Sequence, residues 1–98
     1  MPEFSTPFKG NNCEKKLSKD ELIRTIRFSI ASEFEAIQLY EQIINSTGDE
    51  FVKEAIQDIT DEEKVHVGEF MKILKILSPK EFDFYKEGEK EIEDEFMQ

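Results

Sequence analysis

Glu63 and His66 stand three residues apart in "DEEKVHVGEF", and Glu33 stands in "IASEFEAIQLYEQI". His66 is the only histidine of the chain. Residues three apart on a helix project to the same side, so one metal ion can take both. Carboxylate oxygen and imidazole nitrogen together suit iron, manganese or zinc. A plainer reading stands beside this one. A histidine on an apolar stripe is commonly a hydrogen-bonded core residue, and a buried Glu can pair with a cation such as Lys64 or Arg27.

The surrounding pattern favours the metal. Val52, Ile56, Ile59, Glu63, His66, Phe70, Ile73 and Leu77 follow one another at alternating spacings of four and three. That is a heptad ladder, apolar except at Glu63 and His66. Ile23, Ile26, Ile30, Glu33, Ile37, Tyr40 and Ile44 form a second ladder, interrupted by Glu33 and Tyr40. An unpaired carboxylate in a dry core costs several kcal/mol. A divalent cation supplies the missing charge. Tyr40 on a ladder is ordinary packing with its hydroxyl satisfied, or a donor or redox-active phenol beside the metal.

Helix signals bracket both ladders. Ser18 and Glu21 have capping-box spacing, so a first helix should run from there to about Asn45. "STGD" at 46–49 breaks it, with Gly48 free to take a left-handed turn. Thr47 and Glu50 repeat the box before a second helix to about Leu77. Ser78, Pro79 and Glu81 start a third, acidic helix from about 79 to 96, interrupted by Gly88. Residues 1–17 hold two prolines and no periodicity, and read as a flexible arm. Residues 18–98 form the single domain.

The short turn folds the two long helices back antiparallel. Glu33 lies about fourteen residues before the turn centre and Glu63 about fifteen after it, with His66 one turn further. The three therefore come level within about 5.4 Å. The fold class is all-α: a long two-helix hairpin plus a short C-terminal helix. A hairpin leaves much of its apolar stripe bare, and pairing two hairpins into a four-helix bundle covers it. One chain carries one "Glu" helix and one Glu-x-x-His helix, half of the ligand set of a di-iron carboxylate bundle. A two-fold homodimer would complete it, with dimerisation and metal binding supporting each other.

Bulk composition excludes other classes. The formal net charge is −10, against nucleic acid and anionic membranes as partners. The single Cys13 permits neither an internal disulfide nor a cysteine zinc site. No stretch is long and apolar enough to span a bilayer and no signal-peptide pattern opens the chain, so the cytoplasm is the expected location.

Over residues 19–80 the chain resembles the encapsulated ferritins, short ferritin-like proteins housed in encapsulin nanocompartments. Glu33, Tyr40 and Glu63-x-x-His66 at these separations carry the resemblance. It implies a ferritin-like four-helix bundle and a di-iron ferroxidase centre between two chains. It implies dimers assembled into a ring-like oligomer such as a decamer, within an encapsulin shell. Dioxygen would oxidise Fe(II), and the iron would pass to the shell's interior. Glu33, Glu63 and His66 would be the iron ligands, Glu33 bridging, with Tyr40 nearby. Glu35, off the ladder, would belong to an iron-admission site. Ser32 and Leu39 depart from the acidic residue and tryptophan that some members carry. "EIEDEFMQ" shows no shell-docking peptide, so either the tag differs or the chain is the ferritin part of a shell fusion. Three other readings compete: a rubrerythrin-like peroxide reductase, which normally brings a cysteine-rich domain, a non-catalytic dimerisation module, and a divalent-metal buffer without redox activity.

Overall fold

The computed structural model describes residues 16–97, so the flexible arm expected over 1–17 lies almost wholly outside the described residues. Three helices follow in order: α1 (Lys19–Ser46), α2 (Glu50–Leu77) and α3 (Pro79–Phe96), with no strand among the described residues. The all-α expectation is met.

The first helix starts as its sequence dictates. The Ser18 backbone N–H donates to Glu21 Oε1 at 2.8 Å, and the Glu21 N–H donates to Ser18 Oγ at 3.2 Å. Two orphan donors of the first turn are thereby satisfied. The second start differs from expectation. Asp49, not Thr47, caps α2, its carboxylate accepting from the Val52 N–H at 3.1 Å. Thr47 supports the cap instead, its hydroxyl accepting from the Asp49 N–H at 3.2 Å. Thr47 and Asp49 are both extended, and Gly48 does not adopt the left-handed conformation. The turn therefore needs no positive φ.

The third box is also not formed. Ser78 makes no side-chain cap, and its hydroxyl instead donates to Glu81 Oε1 at 3.0 Å. Pro79 at the first position still pre-sets the helical φ. Helix α3 continues through Gly88 without a break, since the ~1 kcal/mol cost of one glycine is outweighed by the Glu and Lys residues around it.

Helices α1 and α2 pack side by side along their length, each ~42 Å long. Overall extents of 50 × 46 × 21 Å show a flat body with α3 carried off to one side. Ile26, Ile30 and Leu74 form the buried cluster, with Val67, Phe70, Met71 and Phe82 packed against it. Ile37 and Thr60 are buried closer to the turn.

On α2 the heptad ladder divides into two columns. Ile56, Glu63, Phe70 and Leu77 are half-buried against α1, whereas Ile59, His66 and Ile73 are exposed. The deepest α2 residues, Thr60 and Leu74, stand one position off the ladder. A two-helix hairpin has one contact line, and the ladder straddles it. Among the described residues no element covers the outer column, which leaves Ile59 40% and Ile73 42% exposed.

Candidate metal centre

Glu33 reaches the site from the middle of α1, and Glu63 and His66 from the middle of α2. Helix periodicity places Glu33 one turn beyond the buried Ile30 and one before the buried Ile37, so its carboxylate points into the hairpin. Glu63 follows from Thr60 in the same way. Their side chains retain only 20% and 18% of their exposure, and that of His66 retains 46%.

One ligand atom from each of the three lies within 4.8 Å of the other two. His66 Nδ1 is 3.7 Å from Glu33 Oε2 and 3.6 Å from Glu63 Oε2. These separations exceed hydrogen-bond length. They still let both members of a pair ligate one ion at ~2.0–2.2 Å. Glu33 Oε2 is fully buried and has no hydrogen-bond partner among the described residues. A bare carboxylate oxygen at that depth is costly in the free chain, and a metal ion is the kind of group that relieves it. The residues present therefore fit a divalent cation with oxygen and imidazole donors.

An open cleft lined by Glu33, His66, Glu69, Phe70 and Ile73 connects this group to solvent on the exposed-column side. Two sequence candidates lie elsewhere. Tyr40 is half-buried two turns further along α1, ~10 Å from the level of Glu33. Glu35 is exposed and lines a different surface hollow with Ser32, Ala36 and Leu39. Glu69 lines the cleft although it lies off the ladder, at the same spacing from His66 as Glu63.

A separate polar cluster fixes α3. Arg27 clasps Glu81 with two bonds, Nη2 to Oε1 at 2.6 Å and Nε to Oε2 at 3.2 Å. Ser78 and Tyr85 donate their hydroxyls to the same carboxylate. The Arg27 guanidinium, with the two hydroxyl donors, holds the Glu81 carboxyl down to about 2. Arg27 is raised in turn by that hydrogen bond, and Tyr85 is raised by its burial and by Glu81. Arg27, one of the two cations expected as a possible partner of a buried Glu, is thus committed to Glu81 of α3.

No helix among the described residues is long and apolar enough to cross a membrane. No family model matches the sequence. Over 83 residues the chain is 40% identical to a ferritin-like–encapsulin shell fusion protein of Pyrococcus furiosus, covering 85% of this chain and 24% of that one. Over 74 residues it is 36% identical to the encapsulin nanocompartment cargo protein EncC of Myxococcus xanthus, covering 76% and 57%. The chain thus spans about a quarter of the first relative and little more than half of the second. The crystal structure of the encapsulated ferritin domain from Pyrococcus furiosus superposes with a TM-score of 0.85 at 37% identity, covering 92% of each chain.

Proposed function

Because this chain belongs to the encapsulated ferritin family, we propose that it is a ferroxidase, oxidising Fe(II) to Fe(III) at a di-iron centre shared between two copies of the chain. The observation that carries the reading is the buried, unpartnered Glu33 Oε2 within reach of Glu63 and His66. Three donors complete neither of two metal ions. The exposed column of Ile59, His66 and Ile73 runs beside them, so a second copy laid on that face would bring the other half.

In this reading Glu33, Glu63 and His66 of both chains would hold the two ions, Glu33 as the shared ligand by resemblance to the family, and bound Fe(II) would supply the electrons that dioxygen accepts. The chain's own part is to hold the donors, to neutralise the rising charge with carboxylates, and to exclude water with the apolar column. Tyr40, ~10 Å along α1 from the level of Glu33, would take a supporting role only as the family resemblance implies. A dimer of hairpins encloses no volume for a mineral. The names of the relatives supply a container, and we assign this chain a place in iron storage inside an encapsulin shell, as cargo or as part of a shell fusion.

Metal analysis of the purified protein and an aerobic Fe(II) oxidation assay test the proposal. The parent should hold iron and oxidise it, and Glu63→Ala and His66→Ala should each lose the activity. Oxidation at the parental rate by either variant would overturn the assignment.

A further inference from the structure

The donors come from two helices, so the separation of α1 and α2 decides whether they meet. Glu63 and His66 share α2, and the 3.6 Å between them is set within that helix. The 3.7 Å from His66 Nδ1 to Glu33 Oε2 crosses to α1. Two atoms that each bind one ion at ~2.0–2.2 Å can stand at most ~4.4 Å apart. Widening the hairpin by ~1 Å at this level would therefore take Glu33 out of the set. Thr60 sits at that level, one helical turn before Glu63, and is completely buried at 0% exposure. Seven and fourteen residues further on, Val67 and Leu74 continue the line on which α2 meets the hairpin core. Helix α3 joins around Leu74, so α1 is the element that buries Thr60.

We infer that Thr60 is a positioning residue for the centre: its short side chain on the contact line holds α1 and α2 close enough for Glu33 to share an ion with Glu63 and His66. The inference rests on the metal-centre reading above. Helix axes pack ~8–10 Å apart according to the side chains between them. Threonine and valine bracket the donors on this line, and the larger leucine lies further off. The Thr60 hydroxyl is already committed, donating to the Ile56 carbonyl at 2.7 Å. Size, not hydrogen bonding, is then what Thr60 contributes to the donors.

A graded series separates size from polarity. Thr60→Val keeps the shape and removes the hydroxyl, whereas Thr60→Ile and Thr60→Leu add bulk to a packed line. Co(II) titration followed by visible absorbance reads affinity and ligand geometry without turnover, and circular dichroism checks that each variant is folded. Thr60→Val should bind Co(II) as the parent does. Thr60→Ile should bind about tenfold more weakly and Thr60→Leu more weakly still, the absorbance of the site changing as Glu33 drops out. Thr60→Ile, the milder of the two, decides where Thr60→Leu fails to fold. Leu74→Ala opens a cavity on the same line, ~21 Å from Thr60, and should melt earlier yet keep the parental Co(II) affinity. Parental affinity and absorbance in a folded Thr60→Ile protein would overturn the proposal. So would a Thr60→Val protein as impaired as Thr60→Ile, or an equal loss of affinity in Leu74→Ala. A His66→Ala protein that binds Co(II) as the parent does would instead bring down the underlying centre, and the role of Thr60 with it.

Discussion

His66 Nδ1 lies 3.7 Å from Glu33 Oε2 across the α1–α2 interface, and that oxygen has no hydrogen-bond partner among the described residues. The imidazole thus stands beside a buried carboxylate atom without bonding to it. In the free chain this arrangement is costly, because that oxygen has lost its water and gained no donor.

Glu33→Gln should separate the two effects. With metal chelated, the variant should melt at a higher temperature than the parent, by about 4 °C if the relief is ~1 kcal/mol. The same variant should lose Fe(II) oxidation, since an amide neither bridges ions nor offsets their charge. Thermal unfolding in chelator, paired with the oxidation assay, checks both. An unchanged melting temperature would mean that the carboxylate is not a liability in the free chain.

Ile73→Lys tests the second copy. Ile73 belongs to the exposed column and lines the cleft, yet it has no donor atom for a metal. A lysine there leaves Glu33, Glu63 and His66 intact in every chain and places a charge on the face assigned to the partner. Analytical ultracentrifugation should show the parent shifting to dimer when Fe(II) or Co(II) is added, and the variant remaining monomeric. Oxidation should fall with the dimer. Full activity from a monomer would show that one chain suffices.

The element pattern and the convergence of Glu33, Glu63 and His66 were legible in the sequence because both rest on local spacing. The Ser18 cap, helix lengths and the level of Glu33 against Glu63 follow from periodicity and a short turn, and the helix bounds agree to within a residue or two. What was not legible depended on choices between equivalent local partners. Thr47 and Asp49 can each cap a helix, and only the path of the turn decides for Asp49. Ser78 can bond to backbone or to Glu81, and the arrival of Arg27 from α1 organises the carboxylate. Thr60 is completely buried although its hydroxyl reads as polar, because the hydroxyl donates to the Ile56 carbonyl at 2.7 Å and leaves the methyl to pack. Heptad spacing also cannot tell the hairpin's own contact line from the exposed column, so it does not say that Ile59 and Ile73 are the ladder residues left bare.

The Glu81 clasp predicts an acid-sensitive step in stability. The Glu81 carboxyl is held at about 2, below its ordinary 4.5, so the folded state prefers it ionised. A depressed carboxyl contributes stability that is fully present above its unfolded value and lost as pH falls toward the folded value. The contribution should therefore be complete above about pH 5 and fade between 4.5 and about 2. Arg27 is half exposed, which limits the gain to about 1–3 kcal/mol. Glu81→Gln should cost about that much at neutral pH and flatten the acid limb of stability measured by chemical denaturation. Parallel acid limbs in parent and variant would exclude the clasp as the source.

Asp49 and Thr47 give the last expectation, and it distinguishes two ways of starting α2. The Asp49 carboxylate satisfies an orphan donor of the first turn, whereas the Thr47 hydroxyl only steadies the Asp49 backbone. Asp49→Ala should cost about 1 kcal/mol and Thr47→Ala only a few tenths. Both sites are remote from the donors, so Co(II) affinity should move little in either variant. The reverse order of costs would restore Thr47 as the cap and with it a different path for the turn. That path matters to the centre, because a shift of one residue in the turn slides α2 by ~1.5 Å against α1 and would carry Glu63 and His66 away from the level of Glu33.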